Sequence, residues 1–135
     1  MDLDKALAIS ASGMQAQSTR LRVIAENLAN QDTTGGKPGA DPYRRQTVTF
    51  ADQIDSATGN LQVIAKRIDT DKSAFPQRYE PSHPAANADG YVSTPNVNSF
   101  VEVMDMREAQ RSYSANLQVM QVTRGLLTRA IEFLK

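Results

Sequence analysis

Apolar positions recur every seven residues at both ends of the chain. Near the C-terminus they give Met106, Tyr113, Met120, Leu127 and Leu134, with a companion row three residues earlier: Val103, Gln110, Leu117, Arg124 and Ile131. Two such rows side by side form the narrow apolar seam of a coiled-coil helix. No proline and a single glycine, Gly125, fall between Ser99 and Lys135. At about 1.5 Å per residue the helix would run on the order of 55 Å, longer than a small domain is wide. The N-terminal stretch, Asp2 to Asn30, repeats the pattern with Leu7, Met14, Leu21 and Leu28, beside Leu3, Ser10, Gln17 and Ile24. Two heptad helices at opposite ends predict a mainly α fold, an antiparallel coiled-coil pair folded back around a small central region. Aligning the apolar rows sets an expected register: Leu28 opposite Met106, Leu21 opposite Tyr113, Met14 opposite Met120, Leu7 opposite Leu127 and Leu3 opposite Ile131.

The centre reads differently. Asn30 to Gly36 is a run of turn formers, followed by the proline- and glycine-rich Lys37 to Pro42. Tyr43–Phe50 and Leu61–Ile68 read as strands that pair as a hairpin with a turn near Thr58-Gly59-Asn60. From Asp69 to Pro95, four prolines predict irregular chain, with a turn at Asp89-Gly90 and a short extended piece at Tyr91-Val92. The expected organisation is 1–35 and 97–135 as the two halves of a helical domain and 36–96 as a β-hairpin and loop region. Ser99-Phe100-Val101-Glu102 fits a capping box, with Asn98 an equally good cap one residue earlier. Gly13 reads as either a tolerated surface glycine or the close approach of a neighbouring helix. Ser10, Gln17, Gln110 and Arg124 interrupt the seam with polar groups. Helices with this pattern are expected to be stable only inside an assembly.

Composition narrows the function classes. Fifteen basic and fifteen acidic residues cancel, so nothing favours nucleic acid or an anionic membrane as the main partner. Without cysteine there is no disulfide, thiolate metal site or cysteine nucleophile. The N-terminus lacks the basic region and apolar run of a cleaved signal peptide. His83, the sole histidine, sits before Pro84 in a loop and reads as loop packing. Asp69, Asp71 and the Asn87-Ala88-Asp89-Gly90 turn lack the further oxygen ligands of a calcium loop. Arg44-Arg45 and Lys66-Arg67 are too few for a phosphate-tracking groove. No catalytic residues, cofactor or metal site are expected.

A resemblance rests on both ends together. Ser12-Gly13-Met14, Arg20-Leu21 and Val23-Ile24-Ala25-Glu26-Asn27-Leu28-Ala29-Asn30, closing at Thr33-Thr34-Gly35, is similar to the N-terminal signature of the bacterial flagellar rod and hook proteins. Val97-Asn98 followed by Glu102, Met106, Ala109, Arg111, Tyr113, Ala115 and Asn116 resembles their C-terminal signature. Tyr43-Arg44-Arg45 and Gly90-Tyr91-Val92 with Pro95-Asn96-Val97-Asn98 point within that family to the proximal rod. Lys37-Pro38-Gly39-Ala40 departs from it as a small insertion.

The resemblance implies a non-enzymatic subunit of the flagellar rod, the drive shaft crossing the periplasm. It also implies export through the flagellum's own type III apparatus without a cleaved signal. Partners implied are copies of itself, other rod subunits (FlgB-, FlgF- and FlgG-like) and a FliE-like adaptor at the export gate. The assembly interface is then expected on the seam: Leu3, Leu7, Met14, Leu21, Ile24, Leu28, Val103, Met106, Tyr113, Leu117, Met120, Leu127, Ile131 and Leu134. Asn27 and Asn30 are expected to serve the end of the first helix by satisfying free backbone groups there. Two alternatives stand beside this reading: another rod protein of the same family (FlgB-like), and a free coiled-coil dimer acting as an adaptor or regulator.

Overall fold

The computed structural model of the chain describes residues 2–135. Helix α1 (Leu3–Ala29) is followed by strands β1 (Gln46–Ile54), β2 (Leu61–Thr70), β3 (Gln77–Tyr79) and β4 (Tyr91–Ser93), and the chain closes with helix α2 (Ser99–Phe133). The fold is mainly helical with a small central β region, as the periodicity predicts. β1 and β2 form one two-stranded sheet, and β3 and β4 a second.

Local chemistry accounts for the boundaries. Asp2 caps α1, its carboxylate accepting from the Lys5 amide at 3.4 Å. At the far end Asn30 Nδ2 donates to the Glu26 carbonyl at 2.8 Å, satisfying one of the helix's last acceptors. α2 is capped by Asn98, whose Oδ1 accepts from the Phe100 amide at 3.0 Å and the Val101 amide at 3.4 Å. The alternative capping box from Ser99 does not form, because the Glu102 carboxylate is engaged elsewhere. The β1–β2 turn closes with the Asp55 amide donating to the Asn60 carbonyl at 2.9 Å, and Gly59 takes a φ of +68°. β3 lies in the stretch expected to be irregular. It pairs antiparallel with β4, Gln77 opposite Ser93 and Tyr79 opposite Tyr91, and three residues are too few to carry a readable alternation.

The chain divides into two compact units. The first comprises Met1–Leu21, Val48–Arg67 and Met106–Lys135. Within it α1 is covered on two sides. Towards α2, Gly13 lies so close to Asn116 that a Cβ there would stand 2.9 Å from the amide nitrogen, and Arg20 pairs with Glu108 at 3.8 Å. Gly13 is thus a close-approach glycine, and the helices run antiparallel. Towards the hairpin, the Val63 amide donates to Ser12 Oγ at 3.2 Å. Ser10, Ala16, Ala109 and Thr123 are buried in this unit.

The second unit comprises Arg22–Thr47 and Ile68–Asp105. Its buried apolar residues include Val23, Ile24, Ala85 and Val92. Gly90 turns the β3–β4 connection with a φ of +85°, and a Cβ there would meet the Tyr79 ring at 2.9 Å. The Tyr79 and Tyr91 rings pack edge to face at 5.3 Å between centroids.

The expected register is displaced. The predicted alignment would bring Gly13 opposite Gln121; it meets Asn116 instead. Five residues of displacement amount to about 7.5 Å along the helix. The covered row of α2 also differs from the expected companion row. Glu102, Ala109 and Thr123 are buried and Asn116 is half-buried, whereas Val103, Leu117 and Ile131, one residue further on, are exposed. Both rows repeat at seven, so spacing alone could not choose between them.

Candidate functional site

The most constrained polar cluster lies in the second unit, where the last turn of α1, the start of β1 and the first turn of α2 meet. It is built on adjacent residues, Arg45 and Gln46. Gln46 is held by Asn27: its amide donates to Asn27 Oδ1 at 2.9 Å, and Asn27 Nδ2 donates to its carbonyl oxygen at 2.9 Å. The Asn27 side chain therefore pairs with one residue's backbone as a neighbouring strand would. Its remaining capacity is also used. Tyr43 Oη donates to Oδ1 at 2.9 Å, and Nδ2 donates to Glu102 Oε2 at 3.2 Å. Asn27 is 1% exposed, and every lone pair and proton of its amide has a partner.

Arg45 holds α2. Its Nε donates to Glu102 Oε1, and its terminal nitrogens stand 3.6 Å from Asp71 and 3.7 Å from Asp105. Its backbone is held as well, the amide donating to Asn96 Oδ1 at 2.8 Å and the carbonyl accepting from the Asp71 amide at 2.8 Å. Asn96 Nδ2 donates in turn to the Asp71 carbonyl at 3.0 Å and to Ser73 Oγ at 3.0 Å. Glu102 is wholly buried, the largest such side chain among the described residues.

The titrations follow from these neighbours. Burial alone would lower the Arg45 value, but the hydrogen bond and charge of Glu102, then Asp71 and Asp105, outweigh it and hold the guanidinium above its ordinary range. Burial, then the negative charges of Glu26 and Glu102, push the Tyr43 phenol up, so it remains a donor to Asn27. Asp71 is held below the usual carboxylate range by the Ser73 amide and hydroxyl, with Arg45 adding to the effect. The cluster has every partner it needs within itself; its chemistry is that of a fastening.

The other predicted residues distribute unevenly. Ile24 is buried; Leu3, Leu7, Met14, Leu21, Leu28, Met106, Tyr113, Met120 and Leu127 are half-buried; Val103, Leu117, Ile131 and Leu134 are exposed. Of the motif residues, Pro95 is buried, Thr34, Gly35 and Val97 are half-buried, and Ala29 is exposed. Asn30 serves the helix end as expected, whereas Asn27 serves the strand start. His83 packs in its loop, Nδ1 accepting from the Ala85 amide at 3.0 Å and Nε2 standing 3.3 Å from Thr34 Oγ1. Arg45, Asp71 and Glu102 were not foreseen as partners, because residues so far apart in sequence carry no common local signal.

Beyond the cluster, α2 exposes large apolar side chains, among them Val119 (49%), Val122 (64%) and Leu126 (46%). In the first unit a groove of about 560 Å³ opens between Leu7, Ala8 and Ala11 on α1 and Leu117, Met120, Gln121 and Arg124 on α2.

Comparison with known proteins adds what geometry does not. Residues 7–37 match the family described as "Flagella basal body rod protein", and residues 88–133 match "Flagellar basal body rod FlgEFG protein C-terminal". The flagellar basal-body rod protein FlgC of Agrobacterium fabrum is 50% identical over 98% of this chain and 96% of its own length. The chain belongs to the FlgC family of flagellar basal-body rod proteins. FlgC of Bacillus subtilis is 38% identical over 93% of this chain and 94% of its own, and FlgC of Salmonella typhimurium 38% over 91% of each. The FlgC relatives span the central region as well as both helices. Membership makes the chain a structural subunit of the basal-body rod, and favours that reading over the free coiled-coil adaptor.

Proposed function

We propose that the chain is a non-enzymatic building block of the proximal rod, the part of the drive shaft through which motor torque crosses the periplasm for motility. In the assembled rod, residues 1–35 and 97–135 form an inner tube and 36–96 an outer contact region. The seam residues together with the exposed face of α2 supply the contacts between subunits. Neighbouring subunits are copies of the chain and FlgB-, FlgF- and FlgG-like proteins, with a FliE-like adaptor towards the export gate. The chain reaches the rod through the flagellar type III apparatus without a cleaved signal.

The observation that carries this reading is the exposed apolar face of α2. Val119, Val122 and Leu126 stand at helical spacing and are about half exposed or more. A contiguous face of this kind marks a surface that another chain covers. The test is Val122→Glu with Leu126→Glu. The soluble subunit keeps its helix content, because both residues already face water, and cells carrying it assemble no rod beyond this subunit and do not swim. Normal swimming from the double variant overturns the reading.

A further inference from the structure

The two terminal helices carry two competing seams. The sequence offers an apolar one, in which Leu7, Met14, Leu21 and Leu28 face Leu127, Met120, Tyr113 and Met106. The structure adopts another, displaced by five residues. In the first unit Gly13 meets Asn116 where the apolar seam would bring Gln121. In the second Asn27 meets Glu102 where it would bring Arg107. The adopted arrangement is the more polar of the two. Its covered row on α2 is Glu102, Ala109, Asn116 and Thr123, in place of the expected Val103, Gln110, Leu117 and Arg124, and it sets a carboxylate, an amide and a hydroxyl where the other sets two apolar side chains and two polar ones. Hydrophobic burial along the seam does not select this register, so a directional contact must.

The cluster on Arg45 and Gln46 is such a contact. Gln46 binds α1 through both backbone groups to Asn27. Arg45, the next residue, binds α2 through its side chain to Glu102, and the segment leading into α2 through its amide to Asn96. Adjacent residues are about 3.8 Å apart across a trans peptide, a fixed length. Each helix is unbroken from its attachment outward. We propose that the Arg45-Gln46 dipeptide is a register pin: it fixes the residue phase of the terminal helices against the more apolar alternative, and Asn27, Glu102 and Asn96 are its positioning residues.

Buried polar groups are best attested in this role in helix pairs, where one polar contact selects a register that apolar packing leaves open. The register matters because it decides which face of α2 is presented to other chains. In the adopted phase Asn116 and Thr123 are covered and Leu117 and Ile131 are exposed; in the alternative these roles exchange.

The chain contains no cysteine, so introduced pairs report the register in the full-length soluble subunit without background. Gly13→Cys with Asn116→Cys tests the adopted phase, and Leu21→Cys with Tyr113→Cys tests the alternative. A disulfide needs alpha carbons within about 7 Å, so each pair forms in one register only. In the otherwise native chain the first pair closes and the second stays reduced. With Asn27→Leu added, or with Arg45→Met, Glu102→Met and Asn96→Ala together, the preference reverses while helix content by circular dichroism is kept. Asn27→Gln, which keeps the amide but misplaces it by one methylene, restores the first pair only in part. The proposal is overturned if the first pair continues to dominate in both pin-less variants. It is equally overturned if both variants lose their helices, because the apolar seam would then be no alternative. The readout is intramolecular, so it stands apart from whether the rod assembles.

Discussion

Replacing Arg45 by methionine leaves the Glu102 carboxylate buried without its cation. Glu102 has no exposure, and the Arg45 side chain keeps 22%. Its other hydrogen-bond partner, Asn27 Nδ2 at 3.2 Å, is neutral. Breaking a buried pair from one side costs about 3–5 kcal/mol, because the remaining ion keeps its desolvation penalty. With a urea slope of about 1–3 kcal/mol per molar, the midpoint moves down by roughly 1–5 M. The reverse substitution is milder. Glu102→Met leaves Arg45 partly exposed, with Asp71 and Asp105 still at 3.6 and 3.7 Å, and is expected to cost about half as much or less. The double variant removes both charges for apolar side chains of similar length and recovers most of the loss. Urea unfolding of the four proteins, followed by circular dichroism, measures the cycle. A cost below about 1 kcal/mol for Arg45→Met, the value of an exposed pair, would refute the reasoning.

Other outcomes follow from single positions. Gly90→Ala places a side chain at a φ of +85° with its Cβ 2.9 Å from the Tyr79 ring; a loss of about 1–2 kcal/mol from the backbone alone is expected in thermal melts. Asp71 has a depressed folded-state value, so its contribution is present above the ordinary carboxylate value of about 3.9 and is lost as pH falls through the lower folded one. Asp71→Asn therefore flattens the decline in stability below about pH 4, and a decline of unchanged steepness would count against the assignment. Hydrogen exchange on the free subunit is expected to be slowest around Glu102 and Ala109, which are wholly buried, and fast beyond Leu127, where Phe133 and Leu134 are 94% and 88% exposed. Uniform protection along α2 would contradict that gradient.

The helices were legible because their signal is long and periodic. Apolar residues recur at a spacing of seven four or five times at each end, prolines are absent, and good caps stand at Asp2 and Asn98. The hairpin was legible for a similar reason, β-branched runs on either side of a glycine turn. β3 was not, because its three residues are all exposed and take their conformation from pairing with β4. The register failed for a physical cause that the pattern could not express. Spacing at seven marks a face of a helix to within one residue, and the rows beginning at Glu102 and Val103 satisfy it equally. Choosing the apolar row assumes that burial of hydrophobic area decides, and here the close approach of Gly13 to Asn116 and the bonds of Asn27 decide instead.

The cluster illustrates the same point from the other side. Asn27, Arg45 and Glu102 each had a local explanation in the sequence, a helix-end amide, a small basic spot and a capping-box carboxylate, and Asn96 entered only as part of a family signature. Each explanation used the residue against its nearest neighbours, as local reasoning must. What joins them is separation in sequence, 75 residues between Asn27 and Glu102 and 57 between Arg45 and Glu102. One signal was available. Glu102 lies in the first turn of a helix, but its seven-residue row continues with Ala109, Asn116 and Thr123, all small or polar. A charged residue heading a row of small ones is suited to close contact, and a carboxylate in close contact requires a cation from another segment. Among the arginines, Arg45 follows a proline-terminated loop and immediately precedes β1, where its backbone bonds to Asp71 and Asn96 hold its side chain in a fixed place. That combination, a small-residue helix row headed by a carboxylate and an arginine at a strand start, is what distinguishes a fastening from a solvated charge.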